Sequence, residues 1–297
     1  MVNPEPDVIQ PAPEKSIWTI TPCHGRADLV AKLLASLGEA ISAATGVARI
    51  TICLIDSTPA HSTDARQIEA SCQACGAVYL RGPDSVRAKR NQAANYAISQ
   101  GADLLFFTDS DCQVAPEIFV QHLNGFSLAA SPFTHRPVGG VIGVTRFVGK
   151  ETRAYRAAAR TPFLDSFCFA EKMPEAPFAP CTNFSVSSAV FEQVEGFPEG
   201  WQYRLGGDDT ELGRRINNAG YAIVSRPQAL VYHSTSTWSK WSAVIERAWR
   251  WGRMDIRVRQ AEPRQNIQWL GPMPLQVALI LAPFSLLFGW WSLLCLL

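Results

Sequence analysis

The sequence predicts an α/β fold in which a mixed, mainly parallel sheet carries helices on both faces. Strand-like apolar runs alternate with stretches of helical periodicity three times, over residues 17–44, 49–75 and 77–99. This alternation is typical of parallel strands joined by right-handed helical crossovers. A fourth run, Leu104–Phe107, has four apolar residues in succession, which is the pattern of a strand buried on both faces in the middle of such a sheet.

Two carboxylates follow the fourth predicted strand. Asp109 and Asp111 are two residues apart, so both side chains can turn toward one point, as a hard cation with oxygen ligands requires. Ligands of open α/β sheets collect at the carboxyl ends of the strands. The pair therefore predicts a Mg²⁺ or Mn²⁺ site for a phosphate-bearing substrate, although Asp-Ser-Asp is also common turn chemistry and a structural role is equally open.

Other polar residues are predicted to lie along the same edge of the sheet. His24 follows the first strand and Asp56 ends the second, where they would line a nucleotide crevice or simply stabilise turns. Arg87, Lys89 and Arg90 open the third helix, where cations gain nothing from the helix macrodipole. They indicate an anionic ligand, an acidic neighbour or a solvated basic face.

A second motif begins with two glycines and continues with acidic residues at a helix entry, over residues 206–212. Either Asp208 or Asp209 can cap the helix while the other faces a substrate, and the glycines let another molecule approach the backbone closely. His233 follows a strand-like run at residues 229–232. It is either a third metal ligand or a structural histidine.

Composition excludes several classes of protein. The chain has 297 residues, 47% of them hydrophobic, and a formal net charge of +1, which together exclude general disorder and give no footprint of nucleic-acid binding. Eight cysteines lack the spacing of a disulfide framework, which indicates reduced thiols in a cytosolic domain. Cys72 and Cys75 have zinc-ligand spacing without a second pair, so we interpret them as structural.

The two ends of the chain differ from the predicted catalytic domain at residues 17–234. Residues 1–16 contain four prolines and no apolar core, which predicts a flexible leader. Residues 235–270 combine tryptophans with arginines at helical intervals and predict an amphipathic juxtamembrane helix. Residues 271–297 carry no charge and predict a transmembrane or membrane-inserted segment, with the catalytic domain on the cytoplasmic side because arginines precede it.

Taken in order, these motifs resemble those of family 2 glycosyltransferases, whose fold is called GT-A, over about residues 17–233. The resemblance is carried by the segments 21–26, 54–57, 90–91, 109–111 and 208–212. Three positions depart from the usual pattern: an aromatic residue is more common at His24, a second acid at Ser57 and a glutamate at Asp208. The order and number of the motifs make the resemblance specific.

The resemblance implies a metal-dependent hexosyl transfer from a nucleotide-diphosphate sugar to an acceptor hydroxyl. Asp109, Asp111 and His233 would hold Mg²⁺ or Mn²⁺, and Asp209 would be the general base with Asp208 beside it. One base without a nucleophilic carboxylate predicts a single displacement with inversion. The resemblance also implies a donor-binding set, Pro22, His24, Arg26, Asp56, Arg87, Arg90 and Asp109, and an acceptor-binding set, Asn183, Trp201 and Gly207.

Two other functions remain open from the sequence. A haloacid dehalogenase-like phosphatase has similar motifs at residues 107–111 and 207–209, but three strand-helix units precede the first motif and Gln113 replaces the expected residue. A catalytically silent scaffold that binds nucleotide at a membrane is the second alternative. For the transferase, the acceptor is unidentified, and a lipid-linked acceptor follows from the predicted membrane segment.

Overall fold

The computed structural model describes residues 14–178, 180–200 and 206–261. Its centre is an eight-stranded sheet in the order β3-β2-β1-β4-β7-β6-β8-β5. The strands, in chain order, are β1 (Lys15–Cys23), β2 (Ala48–Asp56), β3 (Val78–Arg81), β4 (Leu104–Phe107), β5 (Cys112–Val114), β6 (Val138–Val148), β7 (Phe184–Ser187) and β8 (Ala222–Ser234).

Helices connect and cover these strands. They are α1 (Ala27–Ala43), α2 (Thr63–Ala74), α3 (Val86–Ser99), α4 (Ile118–Phe126), α5 (Arg153–Ala159), α6 (Phe169–Lys172), α7 (Ser188–Gln193), α8 (Asp208–Asn218) and α9 (Trp241–Ala261). Short 3₁₀ helices span Pro162–Cys168 and Thr235–Trp238. The first three helices each follow one strand and precede the next, as the alternating pattern predicts.

The predicted mixed sheet is confirmed. Strands β1, β2, β3 and β4 pair in parallel, and β6 pairs in parallel with β8. Strand β7 runs antiparallel to both β4 and β6, and β5 runs antiparallel to β8. The short antiparallel β7 therefore joins a parallel half, which carries the nucleotide-type crevice, to a second half that contributes His233.

The central strand is buried on both faces, as its apolar run predicts. Phe106 packs in one hydrophobic cluster with α1 and α4, whereas Phe107 packs in the other with α3 and α7. Alternate residues of a strand point to opposite faces, so two adjacent phenylalanines supply both layers of the core. This packing fixes the end of β4, where Asp109 and Asp111 follow.

Strand β8 is one strand where the sequence indicates two. Its register against β6 shifts between the pairs Ile142–Ser225 and Val144–Leu230. Residues 226–229 thus stand opposite Gly143 alone, in an irregularity that separates two apolar runs. The interruption explains why the sequence pattern reads as two strands.

The ends of the chain are described in part. Strand β1 begins at Lys15, so the predicted leader is two residues too long at its boundary, and residues 1–13 lie outside the described residues. Helix α9 lies within the predicted juxtamembrane region. Within the described residues, no helix has the length and apolar character needed to cross a bilayer. The predicted membrane segment at 271–297 lies outside them.

Candidate active site

The site lies where β1, β2 and β4 end at their carboxyl edge. Pro22 pairs with Ile55 and Cys23 with Asp56 in the β1–β2 ladder, so the turns after both strands lie side by side. Strand β4 ends beside β1, and the backbone N–H of Thr108 donates to the carbonyl of Ile20. The topology therefore brings the predicted donor-site residues of three separate segments to one edge.

Asp111 and His233 meet although they are distant in sequence. Cys112 on β5 pairs with His233 on β8, which places the histidine ring against the preceding residue. The His233 Nε2 atom lies 3.4 Å from Asp111 Oδ1, and both side chains are buried. Arg26, which adopts a left-handed backbone conformation at the start of α1, donates from Nη1 to the other Asp111 oxygen at 2.8 Å.

The donor set at this point fits a divalent cation. One ligand atom from each of Asp111, Cys112 and His233 lies within 4.8 Å of the other two, and all three residues are buried. We call these three residues the metal-type group. A carboxylate oxygen and an imidazole nitrogen suit Mn²⁺ and similar first-row ions. Among the described residues the group does not include Asp109, which sequence analysis assigned to the metal.

Asp109 is instead joined to the second motif by Arg90. The Arg90 guanidinium donates from Nη2 to Asp109 Oδ1 at 2.9 Å and from Nη1 to Asp208 Oδ2 at 3.2 Å. The guanidinium is buried and lies 5.5 Å from the centre of the Phe197 ring. Of the three sequence-based interpretations of this cation, the acidic neighbour is the one that the structure contains.

Asp209 is the carboxyl group with the most altered acidity in the site. It lies in the first turn of α8, where its Oδ1 accepts from the backbone N–H of Thr210 at 2.8 Å. Burial, with a smaller contribution from the neighbouring Asp208 charge, raises the pKa of Asp209 from 3.8 to about 7 against the opposing charge of Arg90. A carboxyl group that titrates near neutral pH is suited to general acid-base chemistry.

Asp56 is fully buried and its oxygens are occupied by protein groups. Oδ1 accepts from the backbone N–H and the hydroxyl of Thr58, and Oδ2 accepts from Tyr79 at 2.8 Å and Arg81 at 2.9 Å. Asp56 therefore holds Arg81 and Tyr79 at this edge. Sequence analysis missed Arg81, although its position at the end of β3 placed it beside the same crevice.

His24 and the start of α3 complete the donor edge. His24 Nδ1 lies 3.1 Å from the Ser57 hydroxyl and 3.6 Å from Asp84, on the exposed side of the turn. Lys89 is buried and donates to the Cys23 carbonyl at 2.6 Å and to Ser57 at 2.9 Å, so it joins the ends of β1 and β2. Burial lowers the pKa of Lys89. Arg87 lies partly exposed in the first turn of α3.

The three predicted acceptor residues have different outcomes. Asn183 is 1% exposed, and its amide donates to the carbonyls of Val144 and Ala229 while its oxygen contacts His122. Its side chain is thus committed to the sheet interior, which corrects the acceptor assignment. Trp201 lies outside the described residues, and Gly207 lies at the site.

Helix α9 covers the second motif. Gly207 has a φ of 84° at the start of α8, and a Cβ atom there would collide with the side chain of Met254. Arg247 lies over the Trp238 ring at 4.3 Å and donates to the Thr237 carbonyl. Burial lowers the pKa of Arg247, whereas the charge of Asp111 raises it. Sequence analysis assigned the helix to a membrane surface and missed its contact with the site.

The fold and this edge combine a GT-A-like α/β sheet with a carboxylate-histidine group on one side and a carboxylate of raised pKa on the other, an arrangement suited to group transfer. The profile of the family described as "Glycosyltransferase like family 2" matches residues 17–253. The chain belongs to this family, and it is an enzyme of the glycosyltransferase class. A search of curated proteins gives no match.

Solved structures show the same fold at low identity. A mannosyltransferase from Pyrobaculum calidifontis, solved with GDP-Man and Mn²⁺, is 18% identical with a TM-score of 0.55, and the match covers 84% of this chain and 65% of that one. S. aureus TarS 1–349 is 14% identical with a TM-score of 0.50, over 88% and 77% of the two chains. GalNAc-T7, solved with UDP, GalNAc and Mn²⁺, is 14% identical with a TM-score of 0.50, over 74% and 44%.

Proposed function

We propose that this protein transfers a hexosyl group from a nucleotide-diphosphate sugar to an acceptor hydroxyl with inversion at the anomeric carbon. The observation that supports this most directly is the Arg90 bridge. It holds Asp109, on the side of the metal-type group, next to Asp208, which adjoins the candidate base Asp209. Donor activation and acceptor activation would thus take place on opposite sides of one buried guanidinium.

Asp209 is the proposed general base. Acceptor attack requires removal of a proton from the hydroxyl, and a positioned base contributes about 10² to 10⁴ in rate. The raised pKa makes the Asp209 carboxylate more basic than an ordinary aspartate while leaving it ionised above about pH 7. Asp109 and Asp208 each pair with the Arg90 guanidinium, which lowers their reactivity as nucleophiles toward the sugar. The arrangement supports one displacement instead of two.

Asp111 and His233 are the proposed metal ligands. A bound Mg²⁺ or Mn²⁺ would supply Lewis-acid stabilisation of the leaving nucleoside diphosphate. The imidazole Nδ1 of His233 contacts the Ser234 carbonyl at 2.9 Å, so its Nε2 faces Asp111. Two solved relatives of the fold contain Mn²⁺ together with nucleotide or nucleotide-sugar. Asp109 contacts Arg90 through Oδ1, so Oδ2 is the oxygen that it would offer to the metal.

The donor is proposed to bind along the ends of β1, β2 and β3. His24 and Arg26 are the accessible polar side chains there, and Arg81 presents a guanidinium held by Asp56. Solved relatives carry GDP-Man or UDP, which supports a nucleoside diphosphate in this chain without fixing the base. For the acceptor we propose a lipid-linked alcohol at the cytoplasmic face of a membrane, supported by the arginine-rich and then uncharged sequence after residue 238.

The test combines binding with turnover. Purified enzyme is titrated calorimetrically with Mn²⁺ in the presence of UDP or GDP, and donor hydrolysis or transfer is followed by nucleotide release. We expect Asp111→Asn and His233→Ala to weaken Mn²⁺ binding at least about tenfold, because each removes one of few ligands. Asp209→Asn should retain nucleotide and Mn²⁺ binding and lose turnover.

Two outcomes would overturn the proposal. Release of inorganic phosphate from simple phosphomonoesters would indicate a phosphatase instead. Nucleotide binding by the parent without turnover of any nucleotide-sugar would indicate a silent scaffold. Glu171→Gln is a matched control, because this exposed carboxylate pairs with Arg146 and does not belong to the metal-type group.

A further inference from the structure

Helix α9 carries an exposed apolar stripe. Trp241, Ile245 and Trp249 are 53%, 63% and 56% exposed, and they recur every fourth residue. At 3.6 residues per turn this spacing keeps the three side chains on one side of the helix. Large exposed apolar side chains grouped in this way mark an interaction surface. We call these three residues the α9 stripe.

The opposite side of α9 is already occupied by the protein. Val244 and Trp251 pack in a cluster with Phe163 and Trp238, and the Trp251 ring lies 4.5 Å from the Phe163 ring. Met254 lies against Gly207 at the active site. The inner contacts fix the rotation of the helix about its axis. The α9 stripe therefore points away from the domain because of packing, and not because the helix is unsupported.

A row of arginines flanks this surface on the neighbouring helix. Arg153, Arg156 and Arg160 are exposed at and just beyond α5, while Tyr155 and Ala158 on the other side of α5 pack in the same cluster as α9. Within the part of the chain that the structure describes, no ion pair engages these three arginines. Helices α5 and α9 thus pack on one shared hydrophobic cluster, and each has an outer face away from it, cationic on α5 and apolar on α9.

We propose that the α9 stripe and the α5 arginines form a docking surface for a bilayer that contains anionic lipid. Tryptophan and arginine are the side chains best suited to the boundary between hydrocarbon and headgroups. Arg253 already stacks on Trp249 at 4.5 Å, which places a cation beside the inserted ring. The sequence after Arg264 has no further charged residue as far as Leu297, a composition that suits the hydrocarbon side of such a surface.

This inference rests on the membrane location in the proposed function and adds the surface that would make the contact. The α9 stripe lies on one side of helix α9, and Met254 on the other side lies against Gly207. Docking of the stripe on a bilayer would therefore place the Gly206–Asp209 segment near the headgroups. A lipid-linked acceptor could then reach Asp209 without leaving the membrane. The sugar-transfer chemistry itself does not depend on the α9 stripe.

The test uses the full chain, phosphatidylcholine vesicles with or without phosphatidylglycerol, and lipids brominated near the headgroup, which quench tryptophan on contact. We expect brominated lipid to quench tryptophan fluorescence in the parent, and to quench it clearly less in the double variant Trp241→Phe/Trp249→Phe. The matched control is Trp251→Phe, two residues away on the inner face, which should leave the quenched component in place. Changing Arg153, Arg156 and Arg160 to glutamine should weaken binding to anionic vesicles about fivefold per arginine at low salt.

Equal bromolipid quenching in the parent and in the double variant would overturn the proposal. So would tryptophans at 241 and 249 that are shielded from aqueous acrylamide without vesicles, since the C-terminal segment would then cover them. Concentration-dependent dimers lost in Ile245→Asp would indicate a second copy as the occupant. Nucleotide release from the donor, measured on the same variants without vesicles, separates this proposal from the transferase function, because we expect it to be unchanged.

Discussion

Replacing Asp209 by asparagine should lower activity and raise stability at the same time. Asparagine keeps the shape and the contact to the Thr210 N–H but cannot accept a proton from the acceptor. We expect turnover to fall by about 10² to 10⁴, the usual contribution of a positioned base. Nucleotide binding should be retained, since the donor-edge residues are elsewhere.

The effect on stability follows from the pKa of Asp209. Burial raises this pKa from 3.8 to about 7, so the folded state binds the proton more tightly than the unfolded chain does. The resulting stabilisation is fully present below about pH 4 and is lost as the pH rises through 7. The rise corresponds to about 4 kcal/mol at most, at about 1.4 kcal/mol for each tenfold change in acidity. We expect about 1 to 3 kcal/mol, because Asp209 is partly exposed and water screens its charge.

The measurement is chemical denaturation of parent and Asp209→Asn at pH 5 and pH 8. The free energy of unfolding of the parent should fall from pH 5 to pH 8, because Asp209 ionises in its folded state over this range. The variant lacks this group, so its stability relative to the parent should be greater at pH 8 than at pH 5. The parent's pH–rate profile should show an acid limb with a midpoint near pH 7, so activity at pH 6 is about a tenth of its plateau. A stability difference that is the same at both pH values, or an acid limb near pH 4, would refute the reasoning.

Three other substitutions test the Arg90 bridge, the start of α8 and the interior of the sheet. Arg90→Gln should destabilise the fold by about 2 to 4 kcal/mol in urea denaturation, because it leaves Asp109 and Asp208 without their buried cation. It should also move the acid limb of the pH–rate profile to higher pH, because the Arg90 charge lowers the pKa of Asp209. Gly207→Ala should lower stability by at least about 1 kcal/mol, as judged by thermal melting, because its φ of 84° and Met254 both exclude a Cβ. His122→Gln should reduce the loss of stability that the parent shows as the pH falls from about 6.5 to 4, since burial lowers the pKa of His122 to about 4.

Each of these substitutions has a control or an outcome that would contradict it. Arg90→Lys keeps the charge, so an acid limb shifted equally in both Arg90 variants would show that charge does not act on Asp209. Met254→Ala in the Gly207→Ala background removes the collision but not the unfavourable φ, and partial recovery is expected. A melting temperature for His122→Gln that tracks the parent across the acid range would exclude His122 as the source of acid sensitivity.

The parallel half of the fold could be predicted from the sequence because each element there has a clear period. Helix α3, at Val86–Ser99, ends where the third predicted strand-helix unit ends, at residue 99. The three-residue β5 has too few residues to show any period. Its pairing with His233 depends on contacts between distant segments.

The candidate site could be predicted only in part for the same reason. Motifs located Asp111, His233, Asp208 and Asp209, and the structure brings these acids and the histidine to one edge of the sheet. A motif does not show how a long side chain is shared between partners. Arg90 therefore could not be placed between two carboxylates, and Asn183 could not be recognised as an interior amide.

The bulge in β8 has a consequence for how this site can tolerate change. Four residues, 226–229, stand opposite one on β6, and the regular pairing that carries His233 to the site resumes only at Leu230. Pro227 and Gln228 are exposed within that excess. A residue gained or lost there would alter the size of a surface loop and leave the histidine in place. The same change after Leu230 would turn His233 to the opposite face of the sheet and remove it from Asp111.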